Sequence, residues 1–563
     1  MKVVIVGGVA GGATAAARIR RLDESAEITV FEKSGYISYA NCGLPYYIGG
    51  EISDKEQLTL QTPESFYARF RIDVRVRHEV IEVNTSQKSV KVKDLTSGRV
   101  FDEKYDKLVL SPGAKPVRPP FEGVDDARVF TLRNVEDTFR IKDFVTGRNP
   151  EHVVVIGGGF IGVEMAENLR GLGIEVTLIE AAPQLMAPFD ADMAAFIHAE
   201  MRAMGVNLVL GAMVDGFETG DSFGVRLRNG EVVRADMAVM AIGVTPDTAL
   251  AKQAGLVLGL KGSIVVNDRM ETSVPDVYAV GDAVQITNFV TGKPALISLA
   301  GPANKQGRVA ADNICGLSSR YGGGQGSSVI KIFRLTAAST GINERVAASE
   351  GIVCDKVILS SMSHAGYYPG GKIMTMKVVF ENSSYRLLGA QIIGYDGVDK
   401  RIDVLATAIR AGMKVYDLAE LDLAYAPPYS SAKDPVNMAG FMAENIMNGL
   451  VKQWYTEDEP LLPRDGSVIL LDVRTREECR SGALNGFVNI PVDELRERIG
   501  EIEKDKPVYI ICQSGLRSYI AARILAGKGF DVYNFAGGYR YYAAVKNDKL
   551  CSVASTACGK DAD

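Results

Sequence analysis

The stretches Lys2–Gly12, KVVIVGGVAGG, and His152–Gly162, HVVVIGGGFIG, share one design. Each opens with a run of β-branched residues that reads as a buried strand, then passes straight into a glycine-rich turn. A helix-forming segment follows in both: ATAAARIRRL after the first turn, VEMAENLRGLG after the second. A second apolar strand closes each unit, EITVFEK ending at Lys33 and EVTLIE ending at Glu180. Strand, turn, helix and strand make a βαβ unit. Its repetition predicts two dinucleotide-binding domains in one α/β chain.

The glycines carry the reading further. Gly157, Gly159 and Gly162 complete the pattern that makes the turn, lets the backbone approach a pyrophosphate and packs helix against strand. The first turn keeps Gly7 and Gly12 but has Val9 where the middle glycine belongs. In both, the helix N-terminus offers free N–H groups to an anion. Glu32 and Glu180 end the second strands, about 20 residues on, where a carboxylate accepts from a ribose 2′-hydroxyl. Glu180 would repel a 2′-phosphate, so NADH is expected rather than NADPH.

Outward from these units, 563 residues predict three to four domains, and 47% hydrophobic residues fill ordinary cores. A net charge of -6 gives no bulk attraction for nucleic acid. No apolar run is long enough for a membrane span or a secretory leader. The four histidines are scattered, so no metal is expected. Seven cysteines without a CxxC pair fit a reducing cytoplasm better than a disulfide framework. Apolar strands ending in Gly and Pro recur at Lys107–Pro116 and Met237–Pro246. Strands VIKIFRL, MTMKVVF and LLGAQIIG with a helix DVLATAIRAGM read as an α+β domain. An acidic linker, Thr456–Pro463, precedes a small α/β unit. The expected domains are 1–115, 116–250, 251–325, 329–449 and 461–547, with a flexible tail at 548–563 carrying Cys551 and Cys558.

Thr272–Val284, TSVPDVYAVGDAV, resembles the second FAD motif of the flavoprotein disulfide reductases built from two dinucleotide domains. That resemblance implies that Asp282 bonds the ribityl chain beside Gly281. It puts Lys33, Ala114 and Gly243 along the dinucleotide paths, and makes the third domain a dimerisation domain. The glutathione-reductase-like members have two cysteines with four residues between them; here Cys42 is followed at that spacing by Tyr47. Cys42 must then pair with an exogenous thiol or an oxygen. Its polar neighbours and a nearby flavin are expected to favour the thiolate.

Peroxidases and oxidases of the superfamily carry a histidine in the first turn, where this chain has Ala10. The segments Ala424–Ser430, AYAPPYS, and His364–Pro369, HAGYYP, resemble instead the coenzyme A-disulfide reductases. Those use tyrosines of the partner subunit as acids. The resemblance implies Tyr425 with Tyr367, Tyr368 remaining an alternative to the latter. It also implies a coenzyme A path along Thr14, Arg18, Arg21, Ser38 and Asn41, with Lys433 from the partner and either Arg69 or Arg71. Arg18 and Arg21 share a helix face, as a phosphate site would require.

Ile469–Arg474, ILLDVR, and Cys512–Ser518, CQSGLRS, resemble a rhodanese domain. Cys512 ends a strand and opens a loop of amides that can hold a persulfide anion. Arg517 is expected to bind that anion or to pin the loop through Asp472. The family's HIPGA run is here Gly482–Phe487, without the histidine. The fusion resembles coenzyme A-disulfide reductases with a rhodanese domain, also described as NADH-dependent persulfide reductases. It implies a cytoplasmic homodimer that passes electrons from NADH through FAD to Cys42 and so reduces coenzyme A persulfide or polysulfide. Plain coenzyme A-disulfide reduction, an NADH oxidase or peroxidase, and a slow persulfide sensor remain as alternatives.

Overall fold

The strand Lys2–Val6 is the middle of a parallel five-stranded sheet ordered Val277–Ala279, Lys107–Leu110, Lys2–Val6, Glu27–Glu32, Asp73–Val76. The strand His152–Ile156 holds the same place in a second sheet, ordered Val129–Thr131, Met237–Met240, His152–Ile156, Glu175–Glu180, Val206–Leu210. Val3, Val4, Ile5, Val153, Val154 and Val155 are all fully buried. Strands covered on both faces need such uninterrupted apolar runs. Helices Ala10–Leu22 and Phe160–Gly171 leave the two Gly-rich turns as the repeat requires.

These are features of a computed structural model, which describes the backbone of residues 1–557 and the side chains of residues 1–548. The chain forms two compact units: Met1–Pro183 with Gly205–Gly326, and Gln184–Met204 with Ser327–Asp563. Both dinucleotide sheets lie in the first. The helix Ala191–Ala203 falls in the second, although its sequence position lies inside the stretch 116–250 read as NAD-binding. Asp190 explains this: its backbone N–H and its carboxylate both bond the Gln391 side chain, and its carboxylate pairs with the buried Lys377.

The second unit contains an antiparallel sheet ordered Ser328–Ile332, Leu335–Gly341, Leu387–Gly394, Ile373–Glu381, Cys354–Met362, with the helix Val398–Arg410. The segment VIKIFRL, read as one strand, is instead a hairpin. Phe333 takes a φ of 54°, and the chain reverses between Ile332 and Leu335. A bulky residue at positive φ gives no sequence signal for a turn.

The unit also contains a parallel sheet ordered Lys452–Trp454, Val532–Phe535, Val508–Ile511, Ile469–Asp472, Val488–Asn489. Its first edge strand precedes the segment read as a linker, so this domain begins before residue 461. The supposed linker is tied down: Glu457 accepts from Lys356 at 2.6 Å, and just before it the Tyr455 hydroxyl donates to Asp355 at 2.9 Å. The last helix, Gly538–Ala557, runs through most of the tail expected to be flexible. The rest of that tail, with Cys558, lies outside the described residues, as does the Cys551 side chain.

Candidate functional site

In the first unit, both turns are closed by glycines that admit no side chain. A Cβ on Gly12 would lie 1.9 Å from the Gly7 carbonyl oxygen, and one on Gly162 would lie 1.8 Å from that of Gly157. Gly7 and Gly157 have φ of 97° and 109°, the left-handed region. Gly159, by contrast, faces open space, as an approaching pyrophosphate needs. Glu32 accepts the N–H groups of Gly8 at 2.9 Å and Ser34 at 2.8 Å. Glu180 accepts those of Gly158 at 2.6 Å and Ala182 at 2.7 Å. Each carboxylate locks its own turn and keeps lone pairs for a ribose hydroxyl. Lys33 pairs with Asp247 at 3.3 Å, Ala114 sits opposite Pro246 in a two-stranded ladder, and Gly243 has a φ of 111°. The cradles therefore fit two dinucleotides.

Cys42 lies in the short helical turn Asn41–Gly43, exposed, between the strand Ile37–Tyr39 and the helix Leu44–Gly49. Burial of the sulfur's surroundings pushes its thiol pKa up, and the carboxylates of Glu164 and Asp282 push it further. The protein groups alone thus favour the thiol, so the expected thiolate would depend on the flavin. Asp282 is itself held by Arg133 at 2.9 Å. Glu164 accepts from the Tyr46 hydroxyl at 3.4 Å. Burial, with Glu167 adding to it, raises the Glu164 carboxyl to about 7 despite that hydrogen bond. Tyr47, where the two-cysteine relatives have their second thiol, packs edge-on to Phe139.

Sequence reasoning passed over Glu164, Tyr46 and Arg133. Glu164 stands two residues past Gly162, but its meeting with Tyr46 spans 118 residues and leaves no local signal.

The expected coenzyme A residues are mixed. Arg18 is paired with Asp312 at 2.7 Å, and Thr14 donates to Asn304 at 2.6 Å. Arg21, Asn41, Arg69 and Arg71 are exposed, and Ser38 is half-buried at a φ of 44°. Between them, Arg20 is buried and donates to the carbonyls of Phe70, Arg71 and Glu24. It ties the helix to the segment bearing Arg69 and Arg71.

In the second unit, the hydroxyls of Tyr367 and Tyr425 share a hydrogen bond of 2.7 Å. That bond raises the Tyr425 pKa. Tyr368 turns away and packs edge-on to His364. Arg401, fully buried, sets this arrangement. It pairs with Asp434 at 3.0 Å and donates to the Ser363 carbonyl and the Ser430 hydroxyl, so one guanidinium anchors both tyrosine-bearing loops. Lys433 is exposed beside Asp434.

Cys512 ends the strand Val508–Ile511 and is fully buried. Its sulfur accepts from the Gly515 N–H at 3.1 Å and the Ser518 hydroxyl at 3.2 Å. Gly515, at a φ of 101°, turns the loop into the helix Leu516–Ala526. Arg517 does not reach Asp472. It makes a bidentate pair with Glu478, at 2.8 and 2.7 Å, which holds the Glu478 carboxyl down at about 2. Asp472 is taken by Arg474 at 2.7 Å, and Arg474 also caps the Gly482 carbonyl in the run that lacks the histidine.

Two dinucleotide cradles serving one thiol are the working parts of a nicotinamide-linked redox enzyme. The chain belongs to the pyridine nucleotide-disulphide oxidoreductase family, whose model matches residues 1–307; that family's dimerisation domain matches 327–435, and a rhodanese-like domain matches 460–544. It is accordingly an oxidoreductase built for FAD and NAD(H).

Among curated relatives, the coenzyme A disulfide reductase of Staphylococcus epidermidis is 37% identical over 447 residues, 79% of this chain and all of that one. A solved structure of reduced Bacillus anthracis CoADR-RHD is 49% identical, with a TM-score of 0.95, covering 97% of this chain and 98% of that one. A NAD-dependent persulfide reductase from A. fulgidus is 40% identical, with a TM-score of 0.91, covering 96% and 100%. The water-forming NADH oxidase of Lactobacillus brevis is 29% identical with a TM-score of 0.77, and matches 80% of this chain. Among the described residues, no helix is long and apolar enough to cross a membrane.

Proposed function

We propose that this chain, as a cytoplasmic homodimer, uses NADH to reduce the sulfane sulfur of coenzyme A persulfide or polysulfide and releases hydrosulfide. The observation that carries this reading is the presence, in one chain, of a lone Cys42 with Tyr47 in the second thiol's place and a Cys512 loop whose donors already point at sulfur. The near full-length likeness to a NAD-dependent persulfide reductase supports it. The dimerisation domain supports the homodimer, and the free state of the five described cysteines supports a reducing compartment.

When bound, the flavin supplies two-electron exchange with the nicotinamide and with Cys42. Cys42 attacks the thiol sulfur of the persulfide. A bond forms between Cys42 and coenzyme A sulfur, the sulfane bond breaks, and hydrosulfide leaves with the electron pair. The partner subunit's Tyr367 and Tyr425 supply protons, their shared hydrogen bond keeping one hydroxyl aimed outward as a donor. Thr14, Arg18, Arg21, Ser38, Asn41, Arg69 or Arg71, and the partner subunit's Lys433 line the coenzyme A path. Arg18 serves with its charge already shared with Asp312. Cys512 delivers sulfane sulfur to the carrier.

A second reading, coenzyme A-disulfide reduction alone, is favoured by the curated relatives. Anaerobic NADH oxidation with coenzyme A persulfide and, separately, coenzyme A disulfide tests both. The persulfide is expected to be the faster substrate by about tenfold or more, with sulfide formed as NADH is consumed. A faster disulfide, unaffected by Cys512→Ser, would replace the proposal with the second reading.

A further inference from the structure

The charge around Cys512 bears on what loads it. A loop that takes sulfur from thiosulfate must receive a dianion beside a thiolate and then release sulfite, also a dianion. Such a step needs a cation with open donors. The two guanidiniums placed to serve are both committed. Arg517 has both outer nitrogens on Glu478, and Glu478 is kept ionised down to about pH 2. Arg474 is fully buried on Asp472 and stacks its guanidinium 3.8 Å from the centre of the Tyr539 ring. The hydrogen bonds that reach the sulfur come from neutral dipoles, the Gly515 N–H and the Ser518 hydroxyl, while Arg517 acts on Cys512 through space, its charge shared with Glu478. They suit a single diffuse negative charge.

Glu478 is also fixed in place. It forms the capping box of the helix Arg476–Arg480 with Thr475, whose N–H it accepts at 2.9 Å. It cannot swing away to release Arg517 without uncapping that helix.

We propose that Glu478 is a specificity determinant: by neutralising Arg517, it restricts the Cys512 loop to thiol persulfides and excludes dianionic donors such as thiosulfate. This rests on the reading of Cys512 as a sulfane carrier. In the loading step the Cys512 thiolate attacks the outer sulfur of R–S–SH. A Cys512–sulfur bond forms, the donor's sulfur–sulfur bond breaks, and the donor leaves as R–S⁻, which takes up a proton from water. No external oxidant or reductant is needed.

The test uses the full-length holoenzyme without NADH, so that Cys42 can react at most once and does not turn over. Cys512 is loaded with glutathione persulfide or with thiosulfate, and the transferred sulfur is read as thiocyanate after cyanide is added, Cys512→Ser providing the blank. The native protein is expected to prefer the persulfide by about 100-fold in kcat/KM. Glu478→Gln should raise the thiosulfate value about tenfold or more and leave the persulfide value within about twofold, since freeing one charge-assisted contact is worth roughly that factor. Because Glu478→Gln also removes a helix cap, Arg517→Gln is measured as well. It should lower both donors together, whereas an Arg517 that binds thiosulfate would lose thiosulfate selectively. Thiosulfate equal to or better than the persulfide in the native protein, or an unchanged donor ratio in Glu478→Gln, would overturn the proposal while leaving the carrier reading intact. Loading by neither donor would overturn both.

Discussion

At Cys42 the neighbouring charge that matters titrates near neutrality. Glu164 has its carboxyl raised to about 7 and, once ionised, it raises the Cys42 thiol in turn. Above pH 7 the carboxylate is charged and opposes the thiolate; well below it the carboxyl is neutral and exerts little influence. Glu164→Gln is therefore expected to speed alkylation of Cys42 in the reduced enzyme by roughly two- to tenfold at pH 8, and to change it little at pH 5.5. An unchanged rate at pH 8 would remove Glu164 from the control of this thiol. The raised carboxyl also has a sign for stability. The folded state holds its proton more tightly than the unfolded one, so Glu164 lowers stability progressively as pH rises from about 4.5 to 7. Cys42 itself was legible because a lone cysteine beside Tyr47 is a local pattern. Glu164 was not, because the Tyr46 ring that it meets is 118 residues away in the chain. The pairing of Arg133 with Asp282, 149 residues away, was hidden for the same reason. At Arg517 the expected partner was Asp472, and only packing assigns Asp472 to Arg474 and Glu478 to Arg517.

At the scale of elements, the two βαβ units were legible almost to the residue, because buried parallel strands and glycine turns are written as contiguous runs. The duplication also makes the two cradles separately breakable. Gly162→Ala puts a methyl against the Gly157 carbonyl, and Gly12→Ala puts one against that of Gly7. The first is expected to raise the KM for NADH by about tenfold or more with flavin content unchanged, and the second to lower flavin content after purification. Steady-state kinetics and the flavin-to-protein absorbance ratio check this; loss of flavin in Gly162→Ala would contradict the independence of the two. The antiparallel sheet of the second unit was less legible. Its hairpin at Phe333 depends on a positive φ at a residue that rarely shows one, and the strand Leu335–Gly341 is rich in small and polar residues.

At the scale of the whole second unit, the decisive feature is a buried charge cluster with no sequence signature. Lys377, fully buried, pairs with Asp190 at 3.0 Å, Asp192 at 2.8 Å and also Glu344, while Tyr541 donates to Asp192. Burial pulls the Lys377 pKa down, but the three carboxylates outweigh it and hold the ammonium charged. The cluster joins the helix Ala191–Ala203, the antiparallel sheet and the last helix, parts far apart in the chain. Lys377→Met would strand its carboxylates and is expected to cost about 3–5 kcal/mol, read as a lower Tm. Burial raises the Asp192 carboxyl, but Lys377 outweighs this and keeps its pKa below the ordinary range. In the native protein that stability is present above about pH 4 and lost as acid protonates the carboxylate. In Lys377→Met the order reverses, and mild acid should raise Tm by neutralising the stranded charges. A variant with native Tm would show that the cluster adds nothing.

The edge strand Lys452–Trp454 has a practical consequence for excision. Trp454 is almost wholly buried, its indole 4.4 Å from the Phe535 ring, and its N–H donates to the Ile510 carbonyl. A cut at residue 460, where the rhodanese-like match begins, would leave that strand and its tryptophan on the wrong side of the break. The severed piece would present a raw sheet edge beside an empty slot the size of an indole, and such an edge invites self-association. A scissile point upstream of Val451 would carry the closing strand along with the domain it seals.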